Sequence, residues 1–164
     1  MTSTSFERSS RWHNERRLAA RSSTSPSESK PRPSGCTSAC PKTLTATVLG
    51  APDAGALAAF YRRLLGWPAV ADEPDWVKLS APDGGAALSF QTEAAYVKPT
   101  WPAGPGDQHM MLHLDIEVDD LDTAGAHAIA AGAVLAEYQP QDDVRVYLDP
   151  AGHPFCLWVR DEGA

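Results

Sequence analysis

The side chains of this 164-residue chain that could do chemistry gather in its second half, at His113, Asp115, Glu117, Arg145, Tyr147, Cys156 and Trp158. His113 stands in "MLHLDIEV". An imidazole with an ordinary pKa of about 6.5 can give or take a proton near neutrality. Its plainer role is a hydrogen bond to Asp115 or to a backbone group. Asp115 and Glu117 follow on the same side of an alternating stretch. Either could act as a catalytic carboxylate or pair across strands with Arg145. Arg145 could instead hold an anionic ligand. Cys156, in "GHPFCLW", is a nucleophile only if a neighbour such as His113 lowers its pKa, and a small buried residue is the plainer role. Trp101 and Trp158 with Gln91 would form an apolar wall with one polar handle, a common construction for a small-molecule pocket. The expected ligand-binding pocket is therefore Gln91, Trp101, His113, Asp115, Arg145, Tyr147, Cys156 and Trp158, with no catalytic residue assigned. His127 falls on a polar helix face and His153 in a turn, and neither is given a site role. "APDGG" and "DPAGH" are turns and not phosphate loops, because no P-loop lysine follows and no helix begins there.

Strands have to position these groups. "TLTATVLGA", from Thr43, alternates with strand period. Asp53 suits a helix N-cap, Leu57, Phe60, Tyr61, Leu64 and Leu65 recur at helical spacing, and Gly66 can end the helix. Strands are expected near 67–71, 75–80 and 86–91. The second half repeats this order. Leu114, Ile116 and Val118 alternate against His113, Asp115 and Glu117. Asp119 or Asp120 then caps "LDTAGAHAIAAGA", and strands follow near 133–138, 143–149 and 154–159. Both halves read βαβββ, at about 45 residues each, and such a duplication constrains the fold more than any single motif.

With Leu88 and Phe90 under the first helix, Ser89 and Gln91 face away from it. With Phe155 and Leu157 buried, Cys156 and Trp158 do the same. Arg145 and Tyr147 alternate with Val144, Val146 and Leu148, and are expected to face the pocket. His109 and His113 on one strand would lie roughly 13 Å apart at ~3.3 Å per residue, too far to share an ion. "YVKPTWPAGPGDQ" joins the halves as a Pro/Gly-rich loop. The expected organisation is one domain, 43–164, with modules at about 43–92 and 110–160 and a linker at 93–109.

Residues 1–42 carry eight Lys/Arg against three Asp/Glu, eleven serines, four prolines and only four large apolar side chains. Such a segment cannot bury enough apolar area to offset its ordering entropy, and it is expected to be a disordered tail. Arg16-Arg17-Leu18 resembles a twin-arginine signal, but the apolar stretch of such a signal does not follow. Residues 43–164 carry six Lys/Arg against eighteen Asp/Glu, an acidic balance that repels nucleic-acid backbones. No run of about 18 apolar residues is present to span a membrane. Cys36, Cys40 and Cys156 make no disulfide framework, and the Cys36/Cys40 pair lacks partners for a structural zinc. A reducing cytoplasm is the expected setting.

"APDAGALAAFYRRLLGW", "HLDIEVDDLD" and "DPAGHPFCLW" together make residues 43–160 resemble the glyoxalase/bleomycin-resistance proteins, the vicinal oxygen chelate superfamily. The resemblance implies an α+β fold in which two βαβββ modules form a half-open eight-stranded barrel around a pocket. It also implies metal ligands on the pocket side of the first and last strand of each module. Those positions here hold Ala46, Ser89 or Gln91, His113 and Cys156, with Cys156 in the usual place of a glutamate. A divalent ion needs three or more placed protein ligands, so no metal and no other cofactor are expected. The function expected is metal-independent binding or sequestration of a small-molecule ligand. The alternative is a lyase or isomerase of the vicinal oxygen chelate type, metal-free or using zinc through His113 and Cys156. Nucleic acid and membrane are not expected partners, and exposed strand edges would allow a homodimer.

Overall fold

The computed structural model describes residues 43–160. The expected tail, with Cys36 and Cys40, lies outside the described residues. Strand β1 (Ala46–Ala51) leads into helix α1 (Ala54–Leu65), then β2 (Ala69–Glu73), β3 (Trp76–Leu79) and β4 (Ala87–Thr92). The second module repeats the order: β5 (Leu114–Glu117), α2 (Leu121–Ala131), β6 (Val134–Leu135), β7 (Val144–Leu148) and β8 (Pro154–Trp158). The architecture is α+β, with two four-stranded sheets in the equivalent orders β1-β4-β3-β2 and β5-β8-β7-β6. In each, the first and last strands of the module pair in parallel and the remaining pairings are antiparallel.

Both helices start and stop by the same local chemistry. Asp53 accepts a hydrogen bond from the Ala56 amide and Asp120 from that of Thr123, each satisfying a helix-start donor left without an intrahelical partner. Gly66 (φ 70°) and Gly132 (φ 116°) end them in the left-handed region, where a side chain would be strained. The helices differ in bulk. α1 buries Leu57, Phe60 and Tyr61, whereas α2 buries only Gly125, Ala128 and Ala131.

The aromatic side chains of α1 reach both sheets. Tyr61 stacks on Phe90 of β4 at 5.3 Å, and Phe60 lies 5.9 Å from Phe155 of β8. Arg63 ties α1 to the end of α2 by donating to the Ala131 carbonyl at 2.8 Å. The His127 ring meets the Arg63 and Leu64 carbonyls at 3.1 and 3.2 Å. His127 thus meets carbonyls in the last turn of α1, which its polar-face position did not foretell.

Two expectations about strands need correction. The extended run from Met111 shortens to a strand that begins at Leu114, so His109 and His113 do not share one. The phase of β7 is inverted. Tyr147 pairs with Phe155 and Arg145 with Leu157, so both lie on the helix side, while Val144 and Val146 pair with Trp158 and Cys156 on the other face. Tyr147 is buried and stacks on Phe155 at 5.7 Å, with its hydroxyl against Gly125 of α2. Apolar alternation could not set the phase, because β7 lies between two strands and Val146 on its other face is buried as well.

Candidate functional site

The sheet faces turned away from the helices hold matching positions in the two modules. Counting back from the caps Asp53 and Asp120, Ala46, Val48 and Gly50 of β1 correspond to His113 and to Asp115 and Glu117 of β5. Beside them in register, Ser89 and Gln91 of β4 correspond to Cys156 and Trp158 of β8.

Module two gathers ionisable groups there. His113 Nε2 lies 3.3 Å from Asp115 Oδ1, both largely exposed. Asp115 sits beside Cys156 across the parallel pairing, and one ligand atom each from His113, Asp115 and Cys156 falls within 4.8 Å of the others. Burial pushes the Cys156 thiol up to about 11, assisted by the charge of Asp115 and a hydrogen bond to it. The thiolate is therefore scarce at neutral pH and the group is a poor nucleophile. Glu117 pairs instead with Arg160 at 2.8 Å.

Module one offers little in the same places. Ala46, Val48 and Gly50 carry no ligand atom. Gln91 is engaged by Glu93 at 2.6 Å. Ser89 is fully buried and its hydroxyl has no hydrogen-bond partner among the described residues.

Arg145 and Tyr147 lie away from this face. The Arg145 guanidinium donates to the carbonyls of Asp142 and Val144, at 2.8 and 2.9 Å. Through Nη1 it closes its own loop. Trp101 packs near Tyr138, ring centres 6.4 Å apart, with its indole N–H buried and without a partner among the described residues.

A cavity of about 210 Å³ lies elsewhere. Val48, Leu49 and Gly50 of β1, Tyr96, Val97 and Pro99 of the connection, the run Gln108–Leu112 and His153 line it. None of the eight expected pocket residues is among them. The lining ends at Leu112, next to His113, so the cavity and the His113 cluster adjoin along the chain.

One wall of the cavity is a polar network that sequence reasoning passed over. Asp149, with its side chain fully enclosed, accepts at Oδ1 from the amides of Ala151 and His153, each at 2.9 Å. Its Oδ2 accepts from the Tyr61 hydroxyl at 3.1 Å and meets His153 Nδ1 at 2.9 Å. The Tyr96 hydroxyl donates to the Ala151 carbonyl at 2.9 Å and lies 3.2 Å from His153 Nε2. Burial, with the charge of Asp149, pushes Tyr96 up to about 12 and Tyr61 well above the usual phenol range. Gly152 (φ 93°) supplies the left-handed turn, and Lys98 packs over it where a Cβ would stand. "DPAGH" reads as a turn, and only the fold brings Tyr61 and Tyr96 to it.

The sequence profile of the glyoxalase-like domain matches residues 46–158. Solved structures agree on the fold. A glyoxalase/bleomycin resistance protein/dioxygenase family enzyme from Burkholderia phytofirmans PsJN is 22% identical, over 72% of this chain and 98% of its own, with a TM-score of 0.55. A glyoxalase-related enzyme from Fulvimarina pelagi is 19% identical, over 73% and 88%, with a TM-score of 0.53. A glyoxalase/bleomycin resistance protein from Albidiferax ferrireducens T118 is 21% identical, over 71% and 97%, with a TM-score of 0.51. No curated protein matches this chain significantly in sequence.

Proposed function

The chain belongs to the glyoxalase-like domain family of the vicinal oxygen chelate superfamily, and on that premise we propose that it binds or sequesters a small molecule without a resident metal. The observation that carries this reading is the cavity of about 210 Å³, with apolar side chains making most of its wall and Tyr96, Gln108, His109 and His153 supplying a few polar groups. That is the composition of a small-molecule site, in which apolar area gives affinity and a few polar groups give orientation. The cavity belongs to a domain taken as residues 43–164, whose two sheets curl into a half-open barrel. No helix among the described residues is long and apolar enough to cross a membrane, in keeping with a cytoplasmic protein. A homodimer would associate through exposed strand edges.

Ligand-observed NMR with a library of small aromatic and aliphatic fragments tests the reading. Val48→Trp, which fills the cavity from a partly exposed position, should abolish fragment binding. Cys156→Ser and Trp158→Ala should leave it intact, since neither residue lines the cavity. Fragments that bind Val48→Trp as well as the parent protein would refute the assignment.

A second reading, a lyase or isomerase, is favoured by the approach of His113, Asp115 and Cys156 within 4.8 Å. Imidazole, thiolate and carboxylate suit a soft ion such as zinc, which would draw the proton from the thiol and supply Lewis acidity or an activated water. The raised thiol pKa and the absence of a ligand at Ala46 weigh against it. Cobalt(II) titration decides between the two. A thiolate-to-cobalt absorption band that disappears in Cys156→Ser would favour the enzyme.

A further inference from the structure

Asp149 receives four donors: two backbone amides on Oδ1, and the Tyr61 hydroxyl and the His153 ring on Oδ2. A carboxylate with all of these contacts acts only as an acceptor. The proton between Asp149 and His153 therefore sits on Nδ1, and the tautomer is fixed by the network. Neutral His153 then carries its lone pair on Nε2, beside a cavity that both His153 and Tyr96 line. Tyr96 has a single hydroxyl proton and two acceptors in reach, the Ala151 carbonyl at 2.9 Å and Nε2 at 3.2 Å. With that proton on the carbonyl, Nε2 is left as a base with no donor among the described residues. The buried carboxylate behind the ring holds it in place and fixes which nitrogen is left to accept a proton.

We propose that His153, held by Asp149, is a proton-accepting site for a small ligand whose apolar body bears one weakly acidic hydroxyl, a phenol or an enol. The ligand O–H bond breaks, its proton passes to Nε2, and the oxyanion stays beside the imidazolium, whose charge Asp149 offsets from the far side. No oxidant or co-reactant is required. Tyr96 keeps its own proton through the neutral range, as its pKa of about 12 requires, and does not compete as a base. The apolar body lies against Val48, Val97, Pro99 and Met110. The other ionisable groups around His153 are Tyr61 from α1, Lys98 over Gly152 and His109 across the cavity. This proposal rests on the cavity being a ligand site, and it adds what that ligand must carry.

The test uses 4-nitrophenol, whose colour reports its own ionisation, and nitrobenzene, which has a similar body without the hydroxyl. Bound to the parent protein, 4-nitrophenol should ionise at lower pH, with its apparent acid constant raised about tenfold by the base and the charge pair. His153→Asn should remove this shift while nitrobenzene binding persists. His153→Gln, which likewise has no titratable ring, should also lose the shift while nitrobenzene binding persists, and this variant keeps the test decisive if His153→Asn does not fold. A shift that survives His153→Asn or His153→Gln, or no shift in the parent, overturns the proposal and leaves the network as a turn clamp. If nitrobenzene binds and 4-nitrophenol gains nothing over it, the proton site falls and the binding reading stands. If neither compound binds, both fall.

Discussion

The two modules repeat one design and spend it differently. At matching strand positions module one has Ala46, Val48, Gly50 and Ser89, and module two has His113, Asp115, Glu117 and Cys156. The helices differ in the opposite sense, with bulk in α1 and small residues in α2. Module one therefore supplies much of the aromatic core and part of the cavity wall, while module two holds the ionisable groups. Duplication kept the caps, the strand order and the register, and it left the side chains on each face free to diverge.

The sharpest way to break this comparison is to remove the bulk of α1. Phe60→Ala should destabilise the domain by ~3–5 kcal/mol in a denaturant titration, because a fully buried ring is lost from between two sheets. Ala128→Gly on α2 should cost only about 1 kcal/mol. Equal losses would mean that the helices share the load.

The next test concerns the chemistry held by module two. With its thiol pushed up to about 11, Cys156 should be alkylated by iodoacetamide at pH 7.5 roughly a hundredfold more slowly than an ordinary thiol, as followed by peptide mass spectrometry. The sign follows from the direction of the shift. The thiolate fraction, and so the rate, should keep climbing through pH 9, reach its midpoint only near pH 11 and level off above it. Asp115→Asn removes a charge that raises the pKa and should speed the reaction. A midpoint near pH 8.5 would show that Asp115 and burial do not act on this sulfur.

A smaller effect should appear where a large residue in one module meets a small one. Gly125 of α2 corresponds to Ala58 of α1, and Tyr147 to Leu79. A Cβ at Gly125 would collide with the Tyr147 hydroxyl. Gly125→Ala should therefore cost ~1–3 kcal/mol despite the better helix propensity of alanine. Adding Tyr147→Leu, which restores the pairing of module one, should recover part of that loss in a double-mutant cycle. Additive effects would separate the two positions.

The smallest expected change is at Ser89, the counterpart of Cys156. Its buried hydroxyl has no partner among the described residues, so Ser89→Ala should stabilise by about 1 kcal/mol, seen as a modest rise in melting temperature. A loss of stability would reveal a partner for the hydroxyl.

These pairs also show what was legible beforehand. Asp53, Gly66, Asp120 and Gly132 announce the helix ends because capping is local chemistry. Leu88 and Phe90 assign the face of β4 because its helix side is aromatic and aliphatic while Ser89 and Gln91 alternate with them. β7 misled because both of its faces are covered, so Val146 and Tyr147 are equally buried and alternation has no phase to report. Asp115 and Cys156 meet on adjoining strands with His113 just ahead of the first, which the repeat made legible. Their neighbours Arg145 and Tyr147 fall on the opposite face. The cavity was invisible because connections build much of its wall, and a connection's path follows from contacts such as Tyr96 on Ala151 and not from periodicity. His153 stood in plain view in "DPAGH", but its orientation depends on Tyr61, 92 positions away along the chain.

Phe60 and Tyr61, placed between Phe90 and Phe155, make the two halves interdependent in time as well as in space. A nascent chain that has emerged only as far as the linker would present Phe60 with no ring from β8 to meet. The first repeat would then remain a collapsed intermediate with exposed aromatic surface until the last strand arrives. Amide exchange in the finished protein should accordingly show α1 and β8 opening in a single concerted event, a cooperative unit that crosses the boundary of the repeat.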